Sequence, residues 1–398
     1  MVLLHMERRK FLSKTGKILG LSSTLSALLL QGCDMFPWSE DTDPLKGDGT
    51  DTGLDITNDI KDLKEAMFYK SLNENRVKCQ VCFRECVIKP SERGFCRNRE
   101  NKEGKLYNIV YGRPSAVQID PVEKEPQHHF MPGSYIFCVG TAGCNYRCKY
   151  CHNYQLSQQS IDDLRYEKLL PEDLVEQALE QNVAAISFTY NEPTSLYEYM
   201  YDTAKLAQEH EIGVMFHSNG SMSTEPLKKL LKYVDSTTID LKGFEDNFYQ
   251  DISQAELSPV LDTLKTIVDA GVWLEIVNLM VTDLNDDPEV VKDMCTWIKE
   301  ELGEDIPLHF TRFTPSYKMT DTSPTPVERL EKAREIAIDC GLRFVTIGNV
   351  PGHQYNSTYC PECHQSLIKR DHFSVHEINL EDGKCENCGL DIPGVWSI

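Results

Sequence analysis

Gly143-Cys-Asn-Tyr-Arg-Cys-Lys-Tyr-Cys151 decides how this chain is read. The run places Cys144, Cys148 and Cys151 in a C-x3-C-x2-C spacing. Cysteine thiolates hold iron–sulfur clusters, and a [4Fe–4S] cube ordinarily takes four of them. A short loop that supplies three leaves one iron open to a small ligand. A structural zinc site needs a closed shell of four. The nearest fourth candidate, His152, directly follows a ligand and would serve only from a strained loop. The spacing therefore favours an open iron–sulfur site. Upstream, Ser134-Tyr-Ile-Phe-Cys-Val-Gly140 is apolar, aromatic and β-branched and follows Pro132-Gly133, which reads as a strand.

Beyond the loop, strand-like and helix-like runs alternate. Strands are expected over 183–189, 213–217, 236–241, 272–281, 307–313 and 343–347. Helices are expected over 172–181, 194–209, 226–232, 257–270, 288–301 and 326–339. This alternation implies right-handed βαβ units and a parallel sheet. In such sheets chemistry collects at the C-terminal ends of the strands. Polar residues stand there: Asn191 and Glu192, Ser218 and Asn219, then Asp240 and Lys242. Glu275, Asn278, His309 and Arg312 continue the set in later strands. A carboxylate such as Glu192 suits an ammonium group. Asp240 suits ribose hydroxyls, and Lys242 suits a carboxylate.

The 398 residues leave room for one large domain and small modules. A net charge of −21 argues against nucleic acid as a partner, because gripping phosphates takes Lys and Arg. The N-terminus reads as a targeting segment. Glu7-Arg8-Arg9-Lys10-Phe11-Leu12 resembles a twin-arginine signal, and the apolar stretch 18–30 is too short to span a membrane. It ends Leu30-Gln31-Gly32-Cys33, which resembles a lipobox, so export with lipid anchoring at Cys33 is expected, against a cytoplasmic alternative. Residues 34–60 are acidic and rich in Gly, Pro and Thr, the composition of a tether.

The other cysteines fall into sets. Cys360, Cys363, Cys385 and Cys388 form two C-x2-C pairs and read as a zinc ribbon. Iron suits the same four sulfurs, and in an exported chain so do disulfides. Cys79, Cys82, Cys86 and Cys96 read as a second metal site, for zinc or an accessory iron–sulfur cluster. Cys138, Cys295 and Cys340 lie in apolar segments and are expected as buried small hydrophobes. His128 and His129 read equally well as loop residues or ligands.

The strand, glycine and cysteine loop together resemble the radical S-adenosylmethionine (radical SAM) superfamily. That resemblance implies an α/β fold, a partial (β/α)6 TIM-like barrel, with small Cys-rich metal modules at both flanks. It implies a [4Fe–4S] cluster on Cys144, Cys148 and Cys151 whose open iron binds SAM, and an electron donor. Tyr150 matches the aromatic near the adenine. Tyr190-Asn191-Glu192-Pro193 resembles the Gly-Gly-Glu-Pro element that holds the SAM amino group, with Tyr and Asn in place of the glycines. Ser218, Asn219, Asp240 and Lys242 match points of ribose and carboxylate contact.

Further motifs bring the resemblance closer. They are Asp120-Pro-Val-Glu-Lys-Glu-Pro126, Cys151-His-Asn-Tyr-Gln-Leu-Ser157, Thr189-Tyr-Asn-Glu-Pro-Thr194 and Gly341-Leu-Arg-Phe-Val-Thr-Ile-Gly-Asn349. Together they are similar to the AmmeMemoRadiSam system radical SAM enzyme, a family related to pyruvate formate-lyase activating enzyme. Reductive cleavage of SAM to a 5′-deoxyadenosyl radical and hydrogen abstraction are implied, with a glycyl-radical-activase-like role on a protein substrate and with Memo-type and AMMECR-type partners. The alternative reading is a non-catalytic exported iron–sulfur and zinc metalloprotein acting in electron transfer or as a scaffold. The export signal and Cys138 depart from that family's pattern. The expected organisation is a signal (1–33), a tether (34–60), an N-terminal Cys-rich module (61–132), the barrel (133–352) and a zinc-ribbon-like module (353–398).

Overall fold

The computed structural model describes residues 63–398. The expected signal, the Cys33 anchor and the acidic tether lie outside the described residues. Among the described residues no helix is long and apolar enough to cross a membrane.

One eight-stranded sheet organises the chain. Its strands are β1 (Ala116–Pro121), β2 (Tyr135–Gly140), β3 (Ala185–Phe188), β4 (Gly213–Ser218), β5 (Ser236–Asp240), β6 (Trp273–Met280), β7 (Leu308–Arg312) and β8 (Val345–Gly348). They lie side by side in chain order. From β2 to β8 every neighbouring pair is parallel, while β1 runs antiparallel to β2. The sheet is a partial TIM-like barrel. It carries more strands than six, because β8 adds a parallel strand and β1 an antiparallel edge.

Helices cover the outer face. Pro288–Glu301 shows why they form. Asp287 caps it by accepting from the Glu289 and Val290 amides, Pro288 takes the first position, and Val291, Met294, Cys295 and Ile298 fall on the buried stripe. Ser258–Ala270 ends at Gly271, whose φ of 69° is a left-handed C-terminal cap. β2, β3 and β4 are largely buried on both faces, as strands between helices and lumen are.

The lumen is filled by the chain itself. Residues 122–130, expected in the N-terminal module, thread into the barrel, and β1 joins the barrel sheet. The expected boundary at 132 therefore moves upstream of β1. Gln127 donates to Thr238, and Ser236 donates to Gln127. The His128 and His129 amides donate to the Glu275 carboxylate at 2.8 and 2.7 Å. Neither histidine is a surface residue, at 4% and 1% exposure.

The two small modules sit at opposite ends of the strands. Near the strand starts, the C-terminal module is tied in by Arg370 donating to the His128 carbonyl and by the Val395 amide donating to the His129 carbonyl. The N-terminal module lies at the strand C-terminal ends. There Cys82 bridges to Met222, and Asn98 donates to the Ala142 carbonyl and to Ser195. Its anchor is a buried pair, Arg99 to Glu198 at 2.7 Å, both at most 1% exposed.

Candidate active site

The loop after β2 carries the three cysteines. Cys144 and Cys148 are buried and Cys151 half-buried. Cys144 Sγ accepts the Tyr146 amide at 3.3 Å, and Cys151 Sγ lies 3.2 Å from Ser157 Oγ. Burial pushes the Cys144 thiol well up, and Glu192, Cys148 and Cys151 add to it. Burial and Cys148 likewise push Cys151 up to about 11. The Cys144 and Cys151 thiols therefore stay protonated until a metal displaces their protons. Among the described residues these three do not approach within 4.8 Å of one another, as the C-terminal four do. That spread suits a polynuclear cluster, which separates its ligands more widely than one ion does.

Asn191 holds the loop's entry. Its Oδ1 accepts the Thr141 amide at 3.1 Å, and its Nδ2 donates to the Gly143 carbonyl at 2.9 Å and the Ala142 carbonyl at 3.2 Å. The preceding Tyr190 adopts a φ of 66°, which explains why glycine also suits this position. Tyr190 pays the strain and gains a hydrogen bond to Asp120 at 2.7 Å.

Glu192 sits deeper than a ligand-facing carboxylate. It is 1% exposed and accepts from the Thr194 amide, Thr194 Oγ1, Ser218 Oγ and the Asn219 amide, at 2.7–3.0 Å. A carboxylate offers about four acceptor sites, and all are taken. Glu192 thus ties the turn after β3 to the turn after β4. Ser218 and Asn219 face it, and Asn219 also donates to Asn145 of the cysteine loop at 2.8 Å.

Asp240 and Lys242 meet at 2.8 Å. A residue not singled out in the sequence joins them. His217 reaches Asp240 through Nε2 and Glu125 through Nδ1, each at 3.2 Å. Burial opposes its charge, but the two carboxylates raise its pKa to about 10. Burial also disfavours Lys242's charge, yet Asp240, Tyr150 and Cys148 hold its pKa well above the ordinary value. Lys242 is therefore an ammonium beside the cysteine loop. Tyr150 is buried there, and its hydroxyl makes no hydrogen bond, leaving a donor free. The sequence signal for His217 was a polar residue near the C-terminal end of β4; Glu125 stands in the Asp120–Pro126 run, but only the lumen segment brings it here.

Glu275 and His309 do not belong to this end. They pair at 2.8 Å among the first residues of β6 and β7, where Glu275 holds the lumen segment. Cys138 is fully buried but not purely apolar in its surroundings, since its thiol approaches Glu125 at 3.6 Å. Cys295 is fully buried and Cys340 half-buried.

The C-terminal cysteines form a tight set. Cys360 and Cys388 sulfurs are 3.6 Å apart, as are those of Cys363 and Cys385, and all four lie within 4.8 Å. A tetrahedral zinc site with bonds of about 2.3 Å separates sulfurs by roughly 3.8 Å. Each pair turns alike: the His364 amide donates to the Cys360 carbonyl, the Gly389 amide to the Cys385 carbonyl, and both residues have φ near 60–76°.

The chain is similar to several known proteins. The Radical SAM superfamily model matches residues 138–298. A protein of Methanocaldococcus jannaschii, described as uncharacterized, is 46% identical over 332 residues, covering 83% of this chain and 99% of its own. The pyruvate formate-lyase-activating enzyme of Clostridium pasteurianum is 25% identical over 202 residues, covering 48% of this chain and 84% of its own. Among solved structures, Streptococcus suis SuiB aligns over 57% of this chain and 52% of its own, with 13% identity and a TM-score of 0.44.

Proposed function

The chain belongs to the radical SAM superfamily, and on that premise we propose that it abstracts hydrogen from a protein substrate, in the manner of a glycyl-radical activase. The family implies a [4Fe–4S] cluster and SAM. When bound, they supply one-electron reductive cleavage of the sulfonium to a 5′-deoxyadenosyl radical.

The donor set fits. Cys144, Cys148 and Cys151 would hold the cluster, with protons released on ligation. Lys242, charged beside them, suits the SAM carboxylate, and the free Tyr150 hydroxyl suits a polar atom of SAM. Asn191 and Glu192 hold the loops in place; Glu192, with its acceptors filled, acts through Ser218 and Asn219. His217 keeps Asp240 ionised and oriented.

One observation carries the protein-substrate reading. Residues 122–130 occupy the lumen up to Glu125, beneath His217. A lumen filled in this way leaves the rim for the reacting hydrogen, which a loop of a protein can reach, and this supports the reading. The likeness to an activating enzyme supports the same class. Export with anchoring at Cys33, zinc in the C-terminal module, and Memo-type and AMMECR-type partners are proposed on the sequence motifs alone.

The test uses proteins from cells grown on α-deuterated glycine. With SAM and a reductant, the activase reading expects deuterium in 5′-deoxyadenosine from the protein fraction. Transfer only from the small-molecule fraction contradicts it.

A further inference from the structure

The N-terminal cysteines surround a cavity of their own. Cys79, Cys82, Cys86 and Cys96 all line it, with Arg84 and Arg99 beside them and Asn145 closing one side. Cys79 and Cys86 are set opposite one another by the Cys79 amide donating to the Cys86 carbonyl at 2.9 Å. Arg97, directly after Cys96, turns with a φ of 71°. No carboxylate lines the cavity.

Three features separate this set from the C-terminal ribbon. The first is spread. Among the described residues, the ribbon's four sulfurs all come within 4.8 Å of one another, and no three of the N-terminal four do. Two sulfurs on one zinc, with bonds of about 2.3 Å, are at most roughly 4.6 Å apart. No three of the N-terminal sulfurs therefore stand where one zinc ion would place them. The loop cysteines are spread in the same manner.

The second is an unspent donor. Arg99 is 1% exposed, and its Nε–H has no hydrogen-bond partner, although its other nitrogens are bonded to Glu198 and Thr194. A buried donor left unmade is costly. An inorganic sulfide or thiolate in the cavity completes it.

The third is position. The set lies against the cysteine loop rather than at the far end of the barrel. A Cβ on Gly143 would stand 2.3 Å from the Cys96 carbonyl, so glycine is required for the two to pack. Asn145, which lines the cavity, immediately follows Cys144, and Arg84 donates to its carbonyl.

We propose that Cys79, Cys82, Cys86 and Cys96 ligate a second iron–sulfur cluster, fully thiolate-ligated and adjacent to the cysteine loop. Four cysteines complete the shell of either a [2Fe–2S] or a [4Fe–4S] cluster. The second cluster has no open iron and binds no SAM.

The full chain, reconstituted anaerobically with iron and sulfide, is compared with a variant carrying Cys144→Ala, Cys148→Ala and Cys151→Ala. Acid-labile sulfide is the deciding count, because iron in the C-terminal ribbon brings none. The variant is expected to keep about two or about four acid-labile sulfides with at least as much iron, and a cluster spectrum that SAM does not perturb. A folded variant with no sulfide, or with zinc in its place, overturns the proposal. Should that variant not fold, wild-type sulfide decides: about six to eight per chain supports the second cluster, and about four overturns it. A separate variant, Cys79→Ser with Cys86→Ser, is expected to lose the SAM-insensitive signal alone. If the loop variant keeps all its sulfide, the loop assignment fails instead, and the two failures are told apart.

Discussion

Asn191 Nδ2 donates to the Gly143 carbonyl across 2.9 Å, fastening the turn after β3 to the loop that carries Cys144. The same side chain also receives the Thr141 amide. One amide thus sets where the cysteine loop begins. Asn191→Ala removes these bonds and leaves their partners buried. A cost of about 1–3 kcal/mol is expected, together with faster loss of iron from the reconstituted protein under a chelator. Iron retention equal to wild type would show that the loop is held by other contacts.

A fully buried ion pair helps to pin the N-terminal module. Arg99 and Glu198 are both buried, and Glu198 also accepts the Met67 amide and Asn108 Nδ2. Removing one partner of a buried pair typically costs about 3–5 kcal/mol. Glu198→Gln is therefore expected to lower stability by about 3 kcal/mol and to speed proteolysis between residues 63 and 115. Replacement of both partners by apolar residues should cost less than the single change. Denaturant unfolding of the three proteins measures this.

The His217–Asp240 pair sets a pH window. His217's pKa is raised to about 10 in the folded chain, against roughly 6.5 unfolded. Its contribution is whole below the unfolded value and is lost as pH rises through 10. Burial disfavours ionised Asp240, but Lys242 and His217 lower its pKa. Its contribution is present above roughly pH 3.9 and is lost as pH falls through the folded value. The stability difference between wild type and His217→Gln should be about 2 kcal/mol at pH 6, as hydrogen bonds to charged groups contribute roughly 1.5–3. It should shrink towards zero by pH 10 and above. A constant difference across that range contradicts the charged assignment.

The C-terminal cysteines predict a structural metal. Its module contributes few fully buried apolar residues, Leu367, Ile368 and Ile392, which pack with Phe344 of the barrel around Cys360 and Cys385. Binding free energy is then folding free energy for that part. Cys385→Ser, or metal removal, should release Arg370 from the His128 carbonyl and lower Tm by several degrees. The loop cluster should remain, because it lies at the other end of the barrel. Metal analysis beside calorimetry checks both halves.

Much of the barrel was legible because each parallel strand is a short apolar run between amphipathic helices, a local signal. Pro288–Glu301 matched residue for residue. β1 was not legible. Its burial alternates weakly, and its identity depends on pairing with β2. The lumen segment was hidden for a related reason. Glu125, Gln127 and His128 are polar, and only the folded sheet supplies their partners. The cysteine loop was readable from spacing. Glu192's role was only half readable, since a sequence shows a carboxylate at a strand end but not the four donors that already occupy it.

The central claim is that the cysteine loop cleaves SAM, and 5′-deoxyadenosine is its direct product. Anaerobically reconstituted, chemically reduced wild-type protein should convert SAM to 5′-deoxyadenosine. Cys148→Ala should form none while retaining its C-terminal metal. Wild-type protein that carries the loop cluster and is fully reduced, yet yields no 5′-deoxyadenosine, would contradict the account.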